Sequence, residues 1–121
     1  MPTIFSSAAR GSTTNSEQVS NPTAKGARFT LDITAASGTT PTLDVTFESY
    51  DIVSKTYTAI PGLAFAQKNS TGTDTLTIYP GIAETANETV SDIMPALYRA
   101  VATIGGTTPS FTFTLTVEPY A

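Results

Sequence analysis

The chain is 121 residues long, with 40% hydrophobic but only 13% charged residues, a net charge of −4, and neither histidine nor cysteine. That length supports one domain around a single core, and the absence of cysteine excludes a disulfide framework or a thiolate metal site. Six scattered basic residues (Arg10, Lys25, Arg28, Lys55, Lys68 and Arg99) argue against nucleic-acid binding by phosphate neutralisation, and the missing His and Cys remove the commonest general base, metal ligand and nucleophile.

Residues 1–26 are rich in Ser, Thr, Asn and Gly, with one small apolar anchor at Ile4 and Phe5. We read them as an extended N-terminal arm, the alternative being a solvated tail. Met1 to Ser7 lacks a basic stretch followed by an apolar core, so it does not read as a signal peptide. No run approaches the ~20 apolar residues that span a bilayer. The expectation is a protein made in a cytoplasm, with no membrane partner.

From Ala27 the pattern turns regular. Phe29, Leu31, Ile33 and Ala35 alternate with Arg28, Thr30, Asp32 and Thr34, which predicts a strand with one buried face. After the corner Gly38-Thr39-Thr40-Pro41, Leu43, Val45 and Phe47 alternate with polar residues in the same way. The two strands are expected to pair as a hairpin. Placing Ile33 opposite Leu43 sets Arg28 favourably against Glu48 but Asp32 unfavourably against Asp44, and a two-residue shift removes that clash, so the register stays open.

Further strands are expected over 55–60 and 63–67, joined by a tight Pro61-Gly62 turn, and over 73–79, stopped by Pro80-Gly81. Residues 84–90 read as a single helical turn or a loop. Pro95 precedes a strand over 96–104 that is apolar on two faces, as a central strand is. A second corner, Gly106-Thr107-Thr108-Pro109, then opens into Phe111, Phe113, Leu115 and Val117 alternating with Ser and Thr. The two corners lie 68 residues apart (107 − 39) and make the chain two related β units. About eight strands with no amphipathic helix suit an all-β, two-sheet β-sandwich of jelly-roll type over 27–121.

Chemistry-bearing groups are few. Asp32 and Asp44 could face each other as a carboxylate pair, or bridge a weak cation, but both sit on a solvent face and we read them as surface residues. The loop Asn69 to Asp74 misses calcium-loop spacing, and Ile104-Gly105-Gly106 is followed by no Lys and opens no helix, so it is no phosphate loop. Asn69-Ser70-Thr71 and Asn87-Glu88-Thr89 fit the glycosylation pattern but read as accidental without a secretory signal. Tyr50, Tyr57, Tyr79, Tyr98 and Tyr120 raise a sugar-stacking alternative, weakened by the absence of Trp. No catalytic residue, cofactor or metal ligand is assigned, and no enzymatic activity is expected. About one residue in five is threonine in place of the usual charge, a surface that packs against neighbours at little electrostatic or side-chain entropy cost. That favours a subunit of an assembly.

Three segments carry a resemblance: Leu76-Thr77-Ile78-Tyr79-Pro80-Gly81, Met94-Pro95-Ala96-Leu97-Tyr98-Arg99-Ala100-Val101, and Ile104-Gly105-Gly106-Thr107-Thr108-Pro109-Ser110-Phe111-Thr112-Phe113. With their surroundings, over residues 27–119, they resemble small all-β virion proteins of tailed bacteriophages. The resemblance implies a capsid decoration, or cement, protein: a homotrimer on the outer surface of the head that clamps neighbouring major capsid subunits. It further implies that segment 1–26, through Ile4, Phe5 and Arg10, contacts the capsid or a neighbouring copy. A neck or tail structural protein of the virion, and a carbohydrate-binding or adhesin module, are the alternatives.

Overall fold

The structure, a computed structural model, describes residues 2–21 and 23–121; Met1 and Pro22 of the arm lie outside the described residues. The fold is all-β. Eight strands, β1 (Thr3–Arg10), β2 (Thr14–Asn15), β3 (Val19–Ser20), β4 (Gly26–Asp51), β5 (Thr56–Ala64), β6 (Gly72–Ile78), β7 (Thr89–Val90) and β8 (Leu97–Tyr120), are hydrogen-bonded into one sheet. It is a mixed sheet, because β6 and β7 run parallel while every other pair is antiparallel.

Two long strands organise it. β4 and β8 pair from Gly26↔Tyr120 to Ser49↔Tyr98. On its far side β4 takes β6 along its first half and β5 along its second. On the far side of β8, residues 3–20 run in series: β1 beside 111–116, β2 beside 101–102 and β3 beside 97–98. Ser16 locks this run by accepting from the Ala100 N–H with its hydroxyl (2.8 Å) and donating its own N–H to the Ala100 carbonyl (2.8 Å).

The expected first hairpin does not form. Segments 26–36 and 42–51 belong to the same strand, and each pairs with β8 instead of with the other. The reason lies in the doubled corner. Thr39 pairs with Thr107, and around it Ser37↔Ser110 answers Thr42↔Gly105, while Ala36↔Phe111 answers Leu43↔Ile104. Adding 68 to the β4 partner of one pair and subtracting 68 from its β8 partner gives the other pair, so the two copies of the motif meet face to face about a local twofold axis. Gly-Thr-Thr-Pro therefore bends two strands together and does not reverse one of them.

The bend is sharp. Phe29 and Phe47 are eighteen residues apart (47 − 29), on the order of 60 Å of straight strand, yet their ring centroids lie 4.3 Å apart. β4 thus folds back over itself, and β8 follows it. Between Ile33 and Leu43 no side chain is buried, whereas Ala27, Phe29, Leu31 and Ile33 before the corner and Leu43, Val45 and Phe47 after it are. These meet Tyr98, Ala100, Ala102, Phe111, Phe113, Leu115 and Val117 of β8 in one apolar cluster. Among the described residues no polar or charged residue is buried.

The Pro61-Gly62 segment is likewise no hairpin turn. Thr46 pairs with Ala64 and Glu48 with Ala59, so residues 60–63 bulge out of a single strand. Residues 84–90 form a hydrogen-bonded turn, with Thr85 O accepting from Glu88 N (3.0 Å) and Thr89 N (2.9 Å), that leads into β7.

At the corner Gly38 (φ 116°) and Gly106 (φ 111°) have backbone angles that side chains rarely adopt. A Cβ on Gly106 would meet Thr40 O at 2.7 Å, and one on Gly38 would meet Pro109 Cα at 2.8 Å. Gly106→Ala should therefore cost roughly 2 kcal/mol or more in chemical denaturation, from strain plus the backbone clash. Gly62→Ala, at φ 73° with open space around it, should cost about 1 kcal/mol; equal losses would deny the corner its special role.

Tyr98, 2% exposed and edge-on to Phe29 at 6.1 Å, gives a pH test of the core. Burial holds its hydroxyl well above the ordinary tyrosine value. A phenol whose folded pKa is raised contributes stability that is present below about pH 10, its unfolded value, and lost as pH rises through the folded one. Tyr98 phenolate absorbance should appear only as near-ultraviolet dichroism is lost, and Tyr98→Phe should lack that step. Ionisation at an ordinary value with the fold intact would contradict the burial.

Candidate interaction surface

The arm residues divide between inside and outside. Phe5 is buried and packs edge-to-face on Phe113, with ring centroids 5.5 Å apart. The Arg10 guanidinium lies over both rings, 4.9 Å from Phe5 and 4.7 Å from Phe113. It donates through Nη2 to Ser6 O (2.9 Å) and through Nη1 to Ala8 O (3.2 Å) and Phe113 O (3.4 Å). Register shifts between Thr3 and Ala8 put extra residues into β1, and Arg10 satisfies carbonyls in that stretch. Partial burial lowers its pKa from the ordinary value. Ile4 is half-buried, lining an open polar cleft of about 440 Å³ together with Arg10, Thr14, Ser16 and Glu17.

The carboxylates do not assemble. Asp32 sits between Thr73 and Thr114, accepting from Thr73 Oγ1 at 3.0 Å, while Asp44 pairs with Thr103 and accepts from Gln67 Nε2 at 3.0 Å. They face different neighbours because their segments pair with β8 and not with each other. Asp74 of the 69–74 loop is tied to Lys68 in an ion pair. Lys68 pairs through its backbone with Leu43 in the second half of β4, while Asp74 lies opposite Leu31 in the first half. The ion pair thus pins the two halves of the folded sheet together at one margin. Among the described residues no group of three or more acidic side chains gathers in a metal-binding arrangement.

The tyrosines are engaged one by one. Tyr50 and Tyr57 face each other across β4 and β5, with ring centroids 4.8 Å apart. Arg99 lies 3.8 Å above Tyr57 and donates through Nε to Glu48 Oε1 at 2.8 Å, the residue opposite it in the ladder. Tyr79 donates to Ala121 O (2.9 Å) and Tyr120 to Glu118 Oε1 (2.8 Å). No row of free aromatic faces results; Tyr57 carries a tyrosine and a guanidinium.

Beyond that aromatic pair the β4–β5 connection projects as a tip, a feature the sequence reading passed over. Ile52 is 69% exposed and Val53 87%, and among the described residues Ile93 is the other large apolar side chain standing in water, at 61%. The tip is tightly tied: Asp51 Oδ1 accepts from Val53 N (3.0 Å), Asp51 Oδ2 from Ser54 Oγ (3.0 Å), and Asp51 O from Lys55 N (2.7 Å). Ser54 and Thr56 hydroxyls lie 2.7 Å apart, and Lys55 takes φ 59° to close the turn. The signal was legible in Asp51-Ile52-Val53-Ser54-Lys55, where two β-branched apolar residues occupy a turn that ordinarily draws Gly, Asn, Asp or Ser. Near the base of this hairpin, Ser49, Ala59, Ile60, Pro61, Asp92, Ile93 and Pro95 line a cleft of about 140 Å³.

The tip's geometry sets a pH dependence. Hydrogen bonds from Val53 N–H, then from Ser54, hold the exposed Asp51 carboxyl below its ordinary value. A carboxylate whose folded pKa is lowered contributes order that is present above the unfolded value, about 3.9, and lost as pH falls through the lowered one. Protection of the Val53 amide, measured against its intrinsic exchange rate at each pH, should be high at neutral pH, fall away below about pH 4, and be absent at every pH in Asp51→Ala. Exchange unaffected by that substitution would mean the carboxylate does not hold the tip.

No protein-family model, no curated protein and no solved structure matches this chain.

Proposed function

We propose that this chain is a non-enzymatic structural protein of a tailed-bacteriophage particle, a capsid decoration protein that sits on the outer surface of the head as a homotrimer and bridges major capsid subunits. The observation that carries the structural role is the disposition of ionisable groups. Glu48 is matched to Arg99, Asp74 to Lys68, Asp32 to Thr73 and Asp44 to Gln67, each in a separate pair on the surface of an apolar core. Groups tied singly in this way stiffen a surface without concentrating reactivity in a cleft.

The phage assignment rests on the resemblance of segments 76–81, 94–101 and 104–113, which here form the end of β6, the entry to β8 and the second corner. On this reading the folded sheet is a two-layered sandwich of jelly-roll type. Its β1 edge, where Ile4 lies beside an open cleft while Phe5 and Arg10 anchor the strand, is the side that meets the capsid. Synthesis takes place in the host cytoplasm. Modest contacts repeated over many copies sum to a strong shell.

Heads stripped of this protein should take it back saturably on their outer surface and then release less DNA on heating. Stripped heads that bind none would sink the decoration reading, whereas saturable glycan binding abolished by Tyr50→Ala would move the assignment to a sugar-binding module.

A further inference from the structure

We infer that the β4–β5 tip of one copy docks into the cleft beside Ile93 of a second copy of this chain. Among the described residues, the three large apolar side chains that stand in water, Ile52, Val53 and Ile93, divide between two complementary shapes. Ile52 and Val53 form a protruding knob, and Ile93 rims the cleft closed by Ile60, Pro61 and Pro95. The cleft is open to the surface and, at about 140 Å³, has room for one branched aliphatic side chain.

Charge points the same way. Lys55 stands exposed on the tip and Asp92 exposed at the cleft, so docking brings opposite charges together across the contact. The tip's own acid is turned back on Val53 N–H and Ser54, leaving Lys55 as its outward charge. Because those hydrogen bonds already fix the knob, docking orders little that was free.

The cleft adjoins the base of the hairpin that carries the knob: Ser49 and Ala59 flank the tip in sequence, while Asp92, Ile93 and Pro95 come from the segment between β7 and β8. Every copy therefore offers both, and the contact either closes reciprocally between two copies or runs head to tail into a ring. Two branched side chains offset only part of the cost of association, so free chains pair weakly and the contact gains strength where copies are held side by side. The inference goes beyond the phage reading and is tested on the purified chain alone, so its failure leaves the rebinding of stripped heads untouched.

The chain has no cysteine of its own, which permits a direct trap. A Val53→Cys copy mixed with an Ile93→Cys copy under mild oxidation should give the mixed disulfide dimer at least ~10-fold above a Val53→Cys copy mixed with Thr71→Cys, Thr71 being exposed in another loop. Lys55→Glu on the first copy, or Asp92→Lys on the second, should each lower that yield several-fold, and the two together should restore it. No enrichment over the Thr71 control overturns the proposal, as does charge reversal without loss or without restoration. Binding of the unaltered chain, but not of Ile52→Asp, to neutral phosphatidylcholine vesicles would also overturn it and assign the tip to a lipid surface.

Discussion

Everything in this fold depends on two strands bending at the same place. β4 and β8 stay paired through their Gly-Thr-Thr-Pro corners, where Thr39 meets Thr107. Each corner fits against the other: the missing Cβ of Gly38 makes room for Pro109, and that of Gly106 makes room for Pro41. Thr40 and Thr108 take φ of 47° and 46°, unusual for β-branched residues, and each hydroxyl donates to the carbonyl before it at 2.8 Å. Strain of this kind persists only where the surroundings over-determine it. Here the partner corner supplies that determination, twice over.

The bend creates the core. It brings Phe29 onto Phe47 and Tyr98 onto Phe29, so a single strand contributes to both sides of the apolar cluster. The margins are then closed by different means: Arg10 spans the Phe5 and Phe113 rings on the β1 side, and Lys68 reaches Asp74 on the β6 side. The Lys68–Asp74 link also bears on the edge itself. Asp74 opposes Leu31 on the stretch of β6 that β7 leaves uncovered, so a charge stands on the core-facing side of an open edge, a device that discourages further strands from adding there.

Local alternation was legible in the sequence and long-range pairing was not. The buried set Phe29, Leu31, Ile33, Leu43, Val45, Phe47, Phe111, Phe113, Leu115 and Val117 follows from period-2 spacing, because a half-buried strand has no other way to satisfy it. Pairing is a different matter. A Gly/Pro corner between two alternating runs reads as a hairpin turn when each run is taken alone, but here both flanks had a better partner in β8, which is far away in sequence, from Ser49↔Tyr98 out to Gly26↔Tyr120. Pro61-Gly62 misled in the same way, since a turn and a bulge draw on the same residues. The exposed tip escaped notice because strand patterning looks for apolar residues that alternate, and Ile52 and Val53 are adjacent.

The place of β8 in the order of synthesis has a consequence for how the chain folds. β1, β2, β3 and β4 all hydrogen-bond to residues 97–120, so three of the strands made first have no partner until the last of the eight leaves the ribosome. Among the described strands, only the β4–β5, β4–β6 and β6–β7 pairs can form earlier, and together they leave open the edge of β4 that β8 later takes. Pairings of such long sequence separation close slowly. For that interval the nascent chain holds an alternating apolar strand of 26 residues with a bare edge, the kind of intermediate that aggregates unless shielded. The sparing use of large aliphatics in residues 1–26 limits the apolar surface that those waiting strands present while their common partner is still being made.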